Sequence, residues 1–427
     1  MKKDSWIFWL IVVFVVYMHF EGFIKLLFDY TPAVQGFKYV FSFAFFSIWV
    51  FKIGIPKSKL SWPMFFLFLL TVIQFLNPLV WEGNGLVLSM IGALYYVAYL
   101  PLFFICFKIL DLDRTKKLLV LILVLVSLSA VIAHYQYSVG WRAYVRQYPW
   151  KLAYTEIWQD PEWISIRNFV FHGPMAFDCK PPRYWYASGI IISFAFVFSF
   201  SIKKYMYPVY IILALNASVA LFTSGYRFAL LATVIGLFIM LLANLSFLLK
   251  KFRVWHLIIG AVALVVLIAA AVSYIGIDEY NRSRYERLLN PIGEYINQRG
   301  YTWLGIISNA EKLPFGSGLR GGSHFGAGSF GVSAIWQPKG DNWLLTLSAE
   351  AGVLAMIAVL VIYYRAAREF LTNLFTLKAL KRSLSIGCFA MLVIFIFEVG
   401  FLPGEGPSYW MFWVFSGILF KLKEMKE

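Results

Sequence analysis

The sequence predicts an all-α polytopic membrane protein, and three observations carry this fold class. Hydrophobic residues make up 61% of the 427 residues, whereas charged residues make up only 14%. The mean hydropathy of +0.72 lies far above that of soluble domains. About a dozen apolar runs approach the roughly 20 residues that a helix needs to cross a bilayer. We therefore expect one integral membrane domain, residues 1–427, with about 12 transmembrane helices.

The apolar runs place the expected spans along the chain. The first run follows Lys2 and Lys3, but no small-residue cleavage site comes after it. We therefore expect a retained span and not a signal peptide. The twelve runs are 6–20, 39–55, 62–80, 85–107, 118–138, 187–202, 206–223, 228–249, 255–275, 343–364, 385–402 and 408–420.

Basic side chains predict the orientation, because Lys and Arg concentrate in the cytoplasmic segments of membrane proteins. With the N-terminus inside, the cytoplasmic segments hold 22 of the 38 basic residues and 6 of the 22 acidic ones. The net charge of +16 is therefore a topology signal and does not indicate nucleic-acid binding. Both termini are expected in the cytoplasm, and two long loops, 139–186 and 276–342, on the outer face. The cytoplasmic segments are 1–5, 52–60, 108–117, 203–204, 250–253, 365–382 and 421–427.

The first long loop combines cations with aromatic rings. Arg142 and Arg146 are four residues apart, so on a helix they would share one face. Two guanidinium groups so placed could clamp a phosphate. The rings suit a membrane interface, where Trp and Tyr concentrate, and they also suit carbohydrate bound by stacking. The other members of this set are Trp141, Tyr144, Tyr148, Trp150, Lys151, Lys180, Arg183, Tyr184, Trp185 and Tyr186.

A tight turn joins the seventh and eighth spans. Ser224 and Gly225 end one apolar run and Arg227 opens the next, so Arg227 is expected in the first turn of a helix. An arginine there either extends to lipid headgroups or, together with the positive end of the helix dipole, binds an anion. Tyr226 in the same turn is a candidate substrate-binding residue.

The second long loop is polar and rich in arginine and glycine. Arg299 and Trp303 are four residues apart, as in an amphipathic helix that lies on the membrane surface. Pro314 and a run of glycines follow, which end that helix and let backbone approach a ligand closely. His324 in this run is either a solvated loop residue or a candidate base. The basic residues of the loop are Arg282, Arg284, Arg287, Arg299, Lys312, Arg320 and Lys339.

Acidic residues near the start of the tenth span are the candidates for proton transfer. Asp341 and Asn342 open the span, where Asp341 also suits a helix N-cap. Glu350 lies roughly 13 Å deeper in the helix, where a carboxylate is costly unless it faces the bundle interior. We expect no metal or other cofactor, because no Cys/His cluster has zinc spacing. A disulfide is not expected either, because Cys179 is the lone outer-loop cysteine.

Several of these motifs, taken in order, resemble one known family. Within residues 220–355 they resemble the O-antigen ligase and O-antigen polymerase superfamily of membrane glycosyltransferases. The resemblance implies a GT-C-like, all-helical enzyme of the bacterial inner membrane with its active site on the periplasmic face. The matching residues are Ser224/Arg227 in SGYRFALLA, Arg299/Trp303 in RGYTW, Pro314/Gly316/Gly318 in KLPFGSGL, and Asp341/Asn342 with Glu350/Gly352 in DNWLLTLSAEAG.

The resemblance also implies substrates and roles. Donor and acceptor would be oligosaccharides linked through diphosphate to undecaprenol in the bilayer, with a chain-length regulator protein as a candidate partner. The family's ligases have a histidine before the Asn where this chain has Asp341, which favours polymerisation. We expect Arg227, Arg299 and Arg320 to bind the diphosphate, with Arg142, Arg146 and Arg183 as substitutes for them or as acceptor-side contacts. Further candidate substrate contacts are Tyr226, Trp303 and Asn342. Asp341 is the candidate base, with Glu350 and His324 behind it.

Two alternatives stay open. An O-antigen ligase would share the chemistry but transfer the glycan to lipid A core. A flippase for the same lipid-linked sugars would also suit twelve spans. The sequence argues against the flippase, because its two halves are unlike and few charges fall in the middle of the spans.

Overall fold

A computed structural model of the chain consists of α-helices, and the residues it describes contain no β-strand. Most of the two predicted outer loops and the ninth span, 255–275, lie outside the described residues, so those predictions stay predictions. The described residues are 4–28, 32–76, 90, 93–94, 96–139, 183–199, 203–224, 227–251, 347, 351–399 and 409–426.

Apolar sequence runs form the helices, as predicted. A π-helix, Trp49–Ile53, extends the second helix. The helices are α1 Ser5–Leu27, α2 Pro32–Ile48, α3 Ser61–Phe75, α4 Pro101–Ile109, α5 Leu112–Val139, α6 Arg183–Ser199, α7 Met206–Thr223, α8 Arg227–Lys251, α9 Val353–Thr376, α10 Ala379–Val399 and α11 Trp410–Lys421.

Five helical segments are long and apolar enough to cross a bilayer. A multi-pass helical membrane protein is therefore confirmed, whereas the count of twelve spans and the GT-C-like fold stay predictions. The five segments are Ser5–Ile24, Gly36–Ile53, Leu112–Ser138, Met206–Thr223 and Ala379–Ile396.

The expected span 85–107 is described only in part, at residues 90, 93–94 and 96–107, and the helix is interrupted there before Pro101. Residues 98–100 form a turn, and α4 begins only at Pro101. Proline has no backbone N–H to donate and its ring clashes with the preceding turn, so it fits the first turn of a helix and not its interior. A hydropathy average contains no information on this backbone constraint, so it predicts one continuous helix through the apolar run.

The expected span 343–364 is described only at residues 347 and 351–364, and Gly352 interrupts the helix within this part. Gly352 has φ 85° and ψ 169°, a conformation essentially reserved for glycine, and it separates Ala351 from α9. Helix α9 then continues to Thr376, well past the first charged residue, Arg365. Arg, Ala, Glu and Leu in this stretch favour helix whether or not lipid surrounds it.

The first and last described residues lie at the same end of the bundle. The Arg114 guanidinium lies 5.9 Å from the Phe8 ring centroid. Next to it, Thr115 Oγ1 lies 3.8 Å from Met425 Sδ. The start of α1, the start of α5 and the segment after α11 therefore meet, and we call this the terminal end.

The opposite end, which we call the loop end, is where the two long outer loops are expected to attach. His19 near the end of α1 packs edge-on against Trp185 near the start of α6, with ring centroids 4.7 Å apart. Tyr184 stacks on Phe395 of α10 at 4.8 Å and lies 5.3 Å from Tyr409, which precedes α11. The end of α1, the start of α6, the end of α10 and the start of α11 therefore meet at the loop end.

Helices α4 and α11 approach each other closely at Gly417. A Cβ atom at this position would lie 2.9 Å from Cys106 Cβ and 3.0 Å from the Phe103 carbonyl oxygen. Small residues allow such close backbone approach between membrane helices, where dispersion contacts and not water exclusion hold helices together. The contact fixes the last helix against the middle of the bundle.

Candidate functional site

Most of the predicted site residues lie outside the described residues. Of the set, the structure describes Arg183 with its side chain and the backbone of Arg227. Nothing therefore tests the roles expected of the others, which are Arg142, Arg146, Tyr226, Arg299, Trp303, Arg320, His324, Asp341, Asn342 and Glu350.

Arg227 opens helix α8, as its position after the turn predicts. The preceding helix ends at Thr223, and Ser224 is fully buried. The Ser224 hydroxyl donates a 2.5 Å hydrogen bond to the Leu221 carbonyl oxygen. The serine of this motif therefore closes the last turn of α7, and its hydroxyl is engaged by the backbone. Helix α8 begins three residues later, at Arg227, where the first N–H groups of a helix have no partner within the helix itself.

Arg183 belongs to a helix and not to the loop in which the sequence placed it. It is the first residue of α6, and its guanidinium lies 5.3 Å from the Tyr184 ring centroid. The expectation that Tyr184, Trp185 and Tyr186 line a loop surface is wrong, because all three are buried in the core. Their carbohydrate-stacking role is excluded by that burial.

Arg183 and Arg227 begin two neighbouring helices at nearly the same depth. A Cβ atom at Gly236 of α8 would lie 3.3 Å from Ile191 Cδ1 of α6. Gly236 and Ile191 therefore lie at about the same depth along the bundle. Arg183 precedes Ile191 by eight residues and Arg227 precedes Gly236 by nine. At 1.5 Å per residue, both lie roughly 12–14 Å from that level toward the loop end. Packed helix axes are about 8–10 Å apart, so the starts of α6 and α8 lie side by side at the loop end.

A buried polar contact at the loop end was missed by sequence reasoning. His19 Nε2 and Ser129 Oγ lie 3.1 Å apart and join α1 to α5. Both residues are buried, His19 with 3% of its surface exposed. The presence of His19 within an apolar run could have predicted this contact. Polar side chains in membrane helices face the bundle interior, where they form functional or packing contacts.

A second polar contact joins α5 to α7. His134 Nε2 and Asn216 Oδ1 lie 2.9 Å apart. The Asn216 amide nitrogen also donates to the Ser127 carbonyl oxygen and to Ser127 Oγ, both at 3.3 Å. Because Ser127 and His134 are seven residues apart, they lie on one face of α5, about two turns from each other. Helix α5 therefore directs Ser127 and His134 toward α7 and Ser129 toward α1.

Aromatic side chains fill the described core beneath the start of α6. Trp185 lies edge-on to Trp410 with centroids 5.7 Å apart, and Trp410 lies 5.7 Å from Phe14 of α1. Phe14 in turn lies 5.4 Å from Tyr99. All four are almost completely buried. We call these four residues the aromatic layer; it lies below Arg183 and closes this part of the core.

The expected Glu-x-Gly motif has a backbone explanation at its glycine. Gly352 opens α9 in a conformation that costs a side-chain-bearing residue about 1–3 kcal/mol. The glycine is therefore required by geometry, whatever its neighbour Glu350 does. The described cysteines, Cys106 and Cys388, are both free and buried, and within the described ranges no three His, Cys, Asp or Glu side chains are grouped as metal ligands.

The chain was compared with profiles of protein families and with curated proteins. No family profile matches it, and no curated protein matches its sequence. The resemblance to the O-antigen ligase and polymerase superfamily therefore depends on the short motifs alone.

Proposed function

We propose that the protein is a glycosyltransferase that joins polyprenyl-diphosphate-linked oligosaccharide repeat units at the loop end of the bundle. In this proposal the loop end faces the periplasm and the protein lies in the bacterial inner membrane. The single observation that carries it is the placement of Arg183 and Arg227 at one depth on neighbouring helices. Two further arginines of the motif set, Arg299 and Arg320, follow in the second long loop.

The chemistry needs positive charge more than it needs a strong nucleophile. An acceptor hydroxyl oxygen attacks the anomeric carbon of the donor sugar, and the bond from that carbon to the diphosphate oxygen breaks. The electron pair leaves with the polyprenyl diphosphate, and the hydroxyl proton passes to a base. Guanidinium groups stay protonated and present a planar set of donors that matches phosphate oxygens. Fixed cations at the departing diphosphate therefore lower the barrier.

The remaining requirement is to hold the acceptor hydroxyl and to remove its proton. Asp341 is the first candidate for the base, with Glu350 and His324 behind it. A single displacement of this kind inverts the anomeric centre. Placing two substrates in line is itself a large part of the rate enhancement in transfer reactions, and the long outer segments supply the polar groups for that task.

The aromatic layer favours transfer over transport. A flippase needs a polar path between the two ends of the bundle. Phe14, Tyr99, Trp185 and Trp410 instead fill the described core just below the loop end with apolar rings. A lipid-linked sugar can still reach the loop end sideways from the membrane, because its lipid tail stays in the bilayer.

Incubation of the purified protein with lipid-linked repeat units alone tests the proposal. Polymerisation predicts a ladder of products that differ by one repeat unit. A ligase predicts no ladder but transfer when lipid A core is added. Absence of both products, in a protein that is folded by its thermal unfolding profile, would overturn the proposal. Movement of the labelled lipid-linked unit between leaflets without elongation would favour the flippase.

A further inference from the structure

Among the described residues, the ion pairs at the terminal end occur in one part of the bundle. Five pairs join two described residues, and all lie around α1 to α5, the end of α9 and the end of α11. In one of them the hydrogen bond from Lys52 holds the pKa of Asp4 below its usual value. The pairs are Lys52–Asp4 at 2.7 Å, Lys59–Glu369 at 3.0 Å, Arg114–Asp111 at 3.7 Å, Lys117–Asp113 at 2.7 Å and Lys421–Glu424 at 2.7 Å.

The other part of the terminal end has cations without carboxylates. Residues 183–251 and 370–397, which form this part, contain no Asp or Glu. Their cations at the terminal end form no ion pair with any described residue. Lys203 and Lys204 lie in the link between α6 and α7, and three more cations open α10. We call the five residues the unpaired basic patch: Lys203, Lys204, Lys378, Lys381 and Arg382.

Two hydrogen bonds bring these segments together. Ser383 Oγ donates to the Ala195 carbonyl oxygen at 2.6 Å, which holds the start of α10 against the last turns of α6. Arg382 Nη2 donates to the Ala243 carbonyl oxygen at 2.7 Å, which holds the same turn against α8. Because Lys203 and Lys204 come four and five residues after the end of α6 at Ser199, all five cations lie around the terminal ends of α6, α8 and α10.

Helix geometry adds to the positive potential of the patch. Lys378, Lys381 and Arg382 lie at the start of α10, where the helix dipole is positive and backbone N–H groups are unpaired. Cations are unfavourable there unless an anion is present. Arg382 is held in place through Nη2, while its Nη1 makes no hydrogen bond within the described residues. An oriented guanidinium with free donors is a good ligand for a phosphate.

Apolar side chains next to the patch face outward. On α7, Val209, Ile211 and Ile212 are 43%, 44% and 63% exposed, within two turns of the helix start. On α8, Leu241 and Leu242 are 47% and 53% exposed, in its later turns. In a membrane protein these faces contact acyl chains. A cationic patch directly above an acyl-chain surface matches a phospholipid, with its charged headgroup and apolar tails.

We propose that the unpaired basic patch binds the headgroup phosphate of an anionic phospholipid in the leaflet at the terminal end. In the ion-paired part of the same end, carboxylates lie among the cations, so a headgroup phosphate there would meet negative as well as positive charge. The site would fix α6, α8 and α10 relative to one another, and the same three helices carry the loop-end residues. The proposal does not depend on the glycosyltransferase activity and stands if that activity is absent.

Native mass spectrometry of the full-length protein in detergent tests the proposal. The probes are phosphatidylglycerol and phosphatidylcholine with identical acyl chains. We expect phosphatidylglycerol to be retained selectively and to raise the midpoint of thermal unfolding. The double variant Lys378→Gln/Lys381→Gln should weaken this binding about thirtyfold, as expected for the loss of two cations beside an anionic headgroup. Arg382→Gln should weaken it about fivefold, as expected for one cation, and comparison with the double variant guards against a folding defect in either.

A matched control is available at the same end of the bundle. Lys57 and Lys116 are exposed and form no ion pair within the described chain, so Lys57→Gln/Lys116→Gln removes the same charge from the ion-paired part. This variant should retain phosphatidylglycerol as the unaltered protein does. Equal loss in both double variants would overturn the proposal, because it would indicate a response to net charge alone. Equal retention of the two lipids, or stabilisation by inorganic phosphate as large as that by lipid, would overturn it as well.

Discussion

His19 and Ser129 lie 3.1 Å apart, Nε2 to Oγ, and join the first helix to α5 at the loop end. Their sequence separation is 110 residues, and both are buried. The first helix is therefore part of the loop-end structure and not only an anchor. Hydrogen bonds of this kind between membrane helices contribute on average about 0.6 kcal/mol, with values up to about 1.7 kcal/mol.

A double-mutant cycle on this pair should show coupling. His19→Phe keeps a ring against Trp185 but removes the hydrogen bond, and Ser129→Ala removes its partner. We expect each change to lower the free energy of unfolding by about 1 kcal/mol and the double variant to lower it by less than their sum. The measurement is reversible unfolding in detergent. Additive effects of the two changes would contradict a direct interaction, and the exposed Ser138→Ala serves as control.

Removal of Lys59 should cost more stability than removal of the charge on Glu369, its partner in an ion pair. The Glu369 side chain is 6% exposed and the Lys59 side chain 61% exposed, with 3.0 Å between Nζ and Oε2. Removing the lysine leaves a buried carboxylate without its counterion. Lys59→Met should therefore lower the free energy of unfolding by about 1–3 kcal/mol, which is less than for a fully buried pair because the lysine is exposed. Glu369→Gln keeps a hydrogen-bond acceptor and should cost less. Unfolding measurements on the two variants compare these costs, and a larger loss in Glu369→Gln would contradict the assignment.

Gly417→Ala should be destabilising, because the new Cβ would meet Cys106 Cβ and the Phe103 carbonyl oxygen. Overpacking of this kind costs about 1–3 kcal/mol. Gly36 in α2 is the matched control, since a Cβ there would meet nothing within 4 Å. Gly36→Ala should be neutral or slightly stabilising through helix propensity. Thermal unfolding of the two variants side by side decides the point, and equal midpoints would show that α4 and α11 are not in close contact.

Substitutions of Asp341 distinguish the two roles that the sequence leaves open for it, a general base and a helix N-cap. As a base it must accept a proton, so Asp341→Asn and Asp341→Ala should both abolish elongation. As a helix N-cap it needs only an acceptor oxygen, so Asp341→Asn should retain activity while Asp341→Ala loses stability. Elongation rates and unfolding midpoints of the two variants distinguish these outcomes.

The positions of helices could be predicted from hydropathy, but their breaks could not. Apolar runs correspond to α1, α2, α5 and α7 because lipid selects apolar side chains whatever the backbone does. Pro101 and Gly352 interrupt predicted spans because of their own backbone properties, which a hydropathy average does not register. In the same way α9 continues to Thr376 because its residues favour helix beyond the membrane boundary.

The candidate site was predictable only in part, for a physical reason. Arg227 follows a turn signal that is local in sequence, and helix α8 does begin there. The contacts of His19 depend on which helices are neighbours, so no local pattern reveals Ser129 or Trp185. The burial of Tyr184 to Tyr186 has the same origin, because aromatic residues near a membrane boundary suit a loop surface and a packed core equally well.

The most direct test of the account is elongation by an Arg227→Ala variant supplied with lipid-linked repeat units. Arg368→Ala is the matched control, since Arg368 is exposed on α9 toward the terminal end. The account predicts that Arg227→Ala inserts into the membrane and unfolds like the unaltered protein but makes no product ladder. Arg227→Lys should be nearly as inactive, because a bidentate contact is lost. Arg368→Ala should be active. A product ladder of normal length from Arg227→Ala would contradict it.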